Sequence, residues 1–313
     1  MKILVTGGTG MVGSAFRHIE SNHEIVCVGS SDYNLTSEQE TRWMIKDIEP
    51  DAIIHLAARV GGVKGNTDYV ADFYSENIQI NTNLLSTAHE MKVKKVVSLL
   101  STCIYPDSVT YPLTEDQIHN GEPHPSNFGY AYAKRMLDVQ SRALRQQHGC
   151  NFICAVPNNL YGPHDNFHLE NGHVIPAVIR KIWEAKMTGI TPVFWSDGSP
   201  LREFTFAPDI AEILIFLLER YNSPAPINVG MTNERSIRSV VDLVCKQFQY
   251  DNKKITWDLS KPAGQFRKPS SNQKFMKAGW SVSHYTSFEA GIKTTCDWFI
   301  ENYPMVRGIE KFR

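Results

Sequence analysis

The sequence carries no long apolar run. Its longest stretch, around Ile213 to Leu218, falls far short of the roughly 20 residues that a membrane-crossing helix needs, so no span is expected. Charge of one sign is also lacking: 32 Lys and Arg face 33 Asp and Glu, for a net charge of −1. A broad basic field is what draws nucleic acid or an anionic membrane, and its absence argues against both as partners. None of the six cysteines (Cys27, Cys103, Cys150, Cys154, Cys245, Cys296) forms a CxxC pair. That points to a reduced, cytoplasmic setting. No basic-then-apolar leader precedes the first strand pattern, so no signal peptide is expected. Repeats and low-complexity tracts are missing too. The polar trio His164, Asp165 and His168 sits in a loop pattern, and no metal is expected there.

What is present is an alternation of short apolar strands and helical patterns. Residues 2–6, 24–28, 52–56, 95–100 and 152–156 read as strands. Helical patterns lie between them, at Ser37–Glu49 and Asn77–Lys92. This order predicts an α/β fold with a doubly wound parallel sheet. Its ligand crevice should lie beyond the carboxyl ends of the strands, where Gly7, Ala57, Ala58, Ser101 and Pro157 fall. After about residue 163 the pattern loosens, with helices near 174–187 and 209–221 among loops rich in Gly, Pro and Asn. The expected division is a nucleotide-binding part over 1–163, to which 203–216 and 285–301 return. A smaller, mostly C-terminal α/β substrate-binding part covers most of 164–284.

Two local patterns carry chemistry. The first strand runs straight into Gly7-Gly-Thr9-Gly10-Met11-Val12-Gly13. Gly7 suits a tight turn, Gly10 a close approach of backbone to a pyrophosphate, and Gly13 close helix–strand packing. The phosphates would meet free N–H groups at the helix start. The second pattern is Tyr130 and Lys134, four apart and therefore on one helix face. The lysine charge is expected to favour the phenolate and lower the tyrosine pKa. Ser101, at the end of the 95–100 strand, can donate to the same oxygen as the Tyr130 phenol. Ketone reduction by a nicotinamide needs such an acid and such an oxyanion donor. Tyr132 is the competing phenol, but it faces away from Lys134's side of the helix.

These residues resemble the extended short-chain dehydrogenase/reductase superfamily of Rossmann enzymes. Within it the chain is similar to the GDP-L-fucose synthase family. The blocks that carry the likeness are His55-Leu-Ala-Ala-Arg-Val-Gly-Gly62, Ser101-Thr-Cys-Ile-Tyr-Pro106, Asn127-Phe-Gly-Tyr-Ala-Tyr-Ala-Lys134, Asn159-Leu-Tyr-Gly-Pro-His-Asp-Asn-Phe167, Gly172-His-Val-Ile-Pro176 and Arg202-Glu-Phe204. The resemblance implies NADP(H) as cofactor and GDP-4-keto-6-deoxy-D-mannose as substrate. The implied reaction inverts C3 and C5 beside the ketone and then reduces C4. Cys103 and His173 match the family's epimerisation residues, with base and acid not assigned between them. Leu56, Ala57, Ala58, Pro157, Asn159, Leu160 and His173 join the glycine turn, Tyr130 and Lys134 as implied cofactor contacts. Asn159, Lys181, Trp195 and Arg202 are the implied substrate contacts. A homodimer through helices on the sheet's flank, including the face near 130–147, is implied as well.

Two places depart from the family pattern. Lys261-Pro-Ala-Gly264 has Ala263 where the family usually has an aspartate. After the second strand, Gly29-Ser30-Ser31-Asp32 offers no acidic residue immediately at the strand end for a ribose 2′-OH, which speaks against strict NAD use. Ser30 and Ser31 suit a 2′-phosphate, with Asp32 as a small counterargument. The competing readings are a nucleotide-sugar 4-epimerase or 4,6-dehydratase that retains NAD(H), and a non-catalytic dinucleotide sensor. A dehydratase would need an acidic residue where Cys103 stands.

Overall fold

A computed structural model describes residues 1–261 and 266–309. In chain order the first half runs β1 (Lys2–Thr6), α1 (Met11–Ala15), β2 (Glu24–Val28), α2 (Glu38–Ile48), β3 (Ala52–His55), α3 (Val63–Asp68), α4 (Val70–Glu90), β4 (Lys95–Leu99), α5 (Phe128–His148) and β5 (Asn151–Pro157). The second half runs β6 (Asn159–Tyr161), α6 (Val174–Thr188), β7 (Val193–Trp195), β8 (Leu201–Phe206), α7 (Ala207–Arg220), β9 (Ile227–Val229), β10 (Glu234–Ser236), α8 (Ile237–Phe248), β11 (Thr256–Asp258), α9 (Gln273–Lys277) and α10 (Phe288–Asn302).

Six strands form one parallel sheet in the order β2-β1-β3-β4-β5-β9. The order reverses between β1 and β3, so the crevice opens where Gly7 and Leu56 leave the sheet. Alternation along β1 sends Ile3 and Val5 to one face and Leu4 to the other. On the first face they join Ile54, Val97 and Ile153 beneath α7 residues Ile210, Leu214 and Leu217. On the second, Leu4 joins Ile53, Val96 and Phe152 beneath Met44, Leu84 and Leu137 of α2, α4 and α5. Each such buried side chain stabilises the sheet by about 1.5–3 kcal/mol.

There are two smaller sheets, β10-β8-β6 and β11-β7, and β6 follows directly on the carboxyl end of β5. Their core is aromatic: Tyr161, Phe204, Phe206 and Phe288 pack with Ile179, Val240 and Phe299. Tyr285 packs in the first core and α10 in this third one, so the 285–301 segment straddles the two. Helix ends follow local chemistry. Ser37 accepts from Glu40 N–H to start α2, and Glu49 turns left-handed to end it, while Gly149 and Gly189 end α5 and α6 at φ 73° and 76°. Helix α4 starts seven residues earlier than the expected Asn77. Its first turns expose Asp72 and Tyr74 and bury only Phe73 and Asn77, so their apolar face is too narrow to show in the pattern.

Candidate active site

The dinucleotide side is built by backbone. Gly7 adopts φ 72°, and a Cβ there would lie 2.8 Å from Ala57 N, so the turns after β1 and β3 touch. A Cβ on Gly13 would lie 2.2 Å from Gly7 O, which fixes α1 directly behind the turn. A Cβ on Gly10 would meet only Gly7 O, at 3.2 Å, leaving open space in front of the α1 start. That cradle fits a pyrophosphate. Val12 is buried in the sheet core, and the partly buried Met11 and Leu56 pack at its edge. Thr9 lies against Gly29. Ser30 and Ser31 are exposed, and Asp32 turns back to accept from Gly29 N–H at 2.7 Å. Asp32 is therefore engaged by its own turn.

Below the turns runs a buried polar chain from β1 to α5. Thr6 Oγ1 lies 2.9 Å from His55 Nδ1, His55 Nε2 3.2 Å from Asn81 Oδ1, and Asn81 Nδ2 donates to Ala133 O at 3.0 Å. The proton directions follow from chemistry. The Asn81 amide oxygen can only accept, so His55 carries its proton on Nε2 and accepts at Nδ1 from the Thr6 hydroxyl. Thr6 in turn accepts from Ala57 N–H at 3.3 Å. Burial, helped by the Lys134 charge, pushes the His55 pKa down to about 3, which keeps it neutral. One directed chain thus joins the Ala57 turn to the residue before Lys134.

At the end of β4, Ser101 begins a single 3₁₀ turn, Thr102–Ile104, and its Oγ accepts from Cys103 N–H at 3.4 Å. Lys134 is buried on α5 and donates to Leu99 O at 2.9 Å. Burial pushes its pKa down to about 8. Tyr130, one turn earlier, is half-buried with Phe73 edge-on to its ring, 6.4 Å between centroids. Burial pushes the Tyr130 phenol up, and Cys103 adds to the effect. This corrects the expectation of a phenol lowered by Lys134: the ammonium is spent on a strand carbonyl, and burial wins. Burial also pushes the Cys103 thiol up, opposed by the Ser101 hydrogen bond and the charges of Lys268 and Lys134. Ser101, Cys103, Tyr130 and Lys134 are thereby brought together.

His173 immediately precedes α6, and its side chain is 52% exposed. Its polar neighbours are Asp165 and Arg307, not the four residues above. Pro157 is buried at the end of β5, and Leu160 packs against the first core. Asn159 donates to Glu203 O at 2.9 Å. Arg202 donates to Leu201 O at 2.7 Å and leans toward Phe266 O. Lys181 donates to Val193 O at 2.9 Å over the Phe194 ring. Trp195, in the neighbouring strand, is 61% exposed, as are large parts of Leu259 and Phe266. Ala263 lies outside the described residues. Tyr132 points to the flank, with Tyr74, Phe128 and Met136.

Lys268 and Glu203 escape the sequence reading, which names Asp165 only within a polar loop trio. Lys268 acts on the Cys103 thiol. Glu203 is buried and accepts from Ser270 N–H and Oγ, at 3.0 and 2.5 Å, pinning the 266–271 segment beside Arg202. Asp165 backs His173. Only Glu203 and Asp165 had a signal, as polar members of otherwise recognisable blocks.

Comparison with known proteins agrees with this geometry. Residues 3–230 match the NAD dependent epimerase/dehydratase family. A GDP-L-fucose synthase of Dictyostelium discoideum is 44% identical, with 97% of each chain covered. A probable GDP-L-fucose synthase of Drosophila melanogaster is 40% identical, with 98% of this chain and 99% of that one covered. A solved GDP-L-fucose synthetase of Naegleria fowleri bound to NADP superposes with a TM-score of 0.92 at 39% identity, covering 98% of this chain and 94% of its own. With a glycine cradle at the switch point, a Ser101–Tyr130–Lys134 set beside it and full-length kinship of this order, the chain belongs to the GDP-L-fucose synthases of the NAD dependent epimerase/dehydratase family.

Proposed function

We propose that the protein converts GDP-4-keto-6-deoxy-D-mannose to GDP-L-fucose, inverting C3 and C5 and then reducing C4 with NADPH. One observation carries the reading: a thiol, Cys103, shares the Ser101–Tyr130 corner at the end of β4. NADPH, when bound, supplies the hydride for C4. Gly7, Gly10 and Gly13 present the backbone for its pyrophosphate, and Ser30 and Ser31 face its 2′-phosphate. Tyr130 and Ser101 donate hydrogen bonds to the C4 oxygen. Their grip stabilises the enolate when an α-proton leaves and the alkoxide when C4 is reduced. A phenol pushed up by burial stays protonated, so Tyr130 gives its proton only as charge develops on that oxygen. Cys103 and His173 handle the α-protons from opposite walls. Arg202 suits the diphosphate and Trp195 the nucleoside, with Asn159 and Lys181 at the sugar's edge.

The family fold alone also accommodates a 4-epimerase or a 4,6-dehydratase. The latter lacks its acidic residue here, because Cys103 occupies that place. A silent sensor would have no use for the Ser101–Tyr130–Lys134 set. For assembly we favour a homodimer through α4 and α5, whose shared flank exposes Tyr74, Phe128 and Val139. Six unpaired cysteines agree with a cytoplasmic setting, and among the described residues no helix is long and apolar enough to cross a membrane.

Purified protein mixed with NADPH and the 4-keto substrate should consume the cofactor and release GDP-L-fucose. Folded protein that binds NADPH yet leaves the sugar unchanged overturns the reading.

A further inference from the structure

Asp165 is a carboxylate in an unusual position. It is 4% exposed. One oxygen, Oδ1, accepts from Asn166 N–H at 2.7 Å and faces His173 Nδ1 at 3.7 Å. The other, Oδ2, is buried without a hydrogen-bond partner. Burying an unsatisfied carboxylate oxygen is costly, and a nearby imidazolium is the group that offsets it.

The loop that carries both residues is wound tightly, so its backbone holds the two side chains close while the His173 ring can still turn. Gly172 N–H donates to His168 O at 2.8 Å. The His168 ring accepts from Glu170 and Asn171 N–H at 3.1 and 3.0 Å. The C-terminal segment clamps the loop from outside. Phe167 N–H donates to Arg307 O at 2.9 Å, and Arg180 joins Phe167 O to Gly308 O.

We propose that Asp165 and His173 form an acid–base dyad. In it the carboxylate fixes the imidazole with Nδ1 protonated and presents Nε2 to the sugar. Asp165 is then a positioning residue for proton return during epimerisation. The inference rests on the function proposed above. The 3.7 Å gap is longer than a hydrogen bond and shortens as the ring turns toward bound sugar. In the step itself, the imidazolium gives its Nε2 proton to the enolate carbon. The enolate electron pair forms the new C–H bond, and a neutral ring keeps its Nδ1 proton toward Asp165. The exposed ring then takes a proton back from water.

Charge around the ring agrees. Asp165 raises the His173 pKa, partly offset by burial and by Arg307 of the C-terminal segment. Lys64, on neighbouring α3, is engaged by Asp68.

Deuterium incorporation at C3 and C5, measured in D₂O with NADPH present, tests the dyad. Asp165→Asn should lower incorporation about tenfold at pH 8, because the basic limb of its pH profile moves down by about one pH unit. Asp165→Asn should cost nothing further in a His173→Gln background. An unmoved basic limb, or an added loss in that background, overturns the proposal. The wild-type protein gives an independent reading through the ring-nitrogen NMR shifts of His173. A neutral ring protonated at Nδ1 supports the dyad, and one protonated at Nε2 overturns it. That measurement stands even if the 4-keto sugar proves to be the wrong substrate.

Discussion

The Lys134 ammonium donates to the Leu99 carbonyl at 2.9 Å, tying the second turn of α5 to the last residue of β4. Tyr130 on the helix and Ser101 beyond the strand hang from the two ends of that tie. Lys134→Met breaks it and removes the charge. NADPH oxidation with the 4-keto substrate should fall by about 100-fold or more, while circular dichroism should show the sheet retained.

Cys103 and Tyr130 share one corner, but only the thiol is expected to work on α-protons. Cys103→Ser puts a far weaker acid at that point, one that stays un-ionised near neutral pH and so supplies no base. The variant should lose C3 and C5 inversion by about 100-fold or more and still reduce C4 slowly. NMR of the product should show a 6-deoxy sugar with its original C3 and C5 configuration. Normal GDP-L-fucose from this variant refutes the assignment.

Gly13 has no room for a methyl group, since a Cβ would fall 2.2 Å from Gly7 O and 2.5 Å from Gly8 Cα. Both neighbours are backbone and cannot swing aside. Gly13→Ala should cost about 2–3 kcal/mol of stability and open the phosphate cradle. Thermal melts and a fluorescence titration with NADPH check the two effects separately.

His55 titrates near 6.5 when unfolded and near 3 in its buried chain. Between those values the unfolded chain binds the extra proton. Native stability should therefore rise with pH from about 3 to 6.5, and this part should be fully lost below about 3. The contribution is on the order of a few kcal/mol. Replacing His55 by Gln should flatten this slope. Urea midpoints at pH 7 and pH 4.5 decide it.

Much of this was legible locally. Period-two and all-apolar runs marked β1 to β5 within a residue or two, and Ser37 and Glu49 bracketed α2. The glycine spacing and the Tyr130–Lys134 interval gave the crevice, because both are short-range patterns with one geometric meaning. Partnerships between distant residues were not legible. No spacing in the sequence joins Lys134 to Leu99, Thr6 to His55 and Asn81, or Arg180 to Gly308. The Tyr130 expectation failed for the same reason. An i, i+4 pair shows shared facing, but burial and the lysine's actual acceptor decide the acidity.

The Arg307 and Gly308 carbonyls hold the loop that seats His173, and no strand of the six-stranded sheet depends on them. Cutting the chain before Arg307 should thus slacken the loop that seats His173 while dinucleotide uptake survives. On the proposed function, protein cut there would act as a plain ketone reductase, releasing sugars of the wrong handedness instead of simply falling silent.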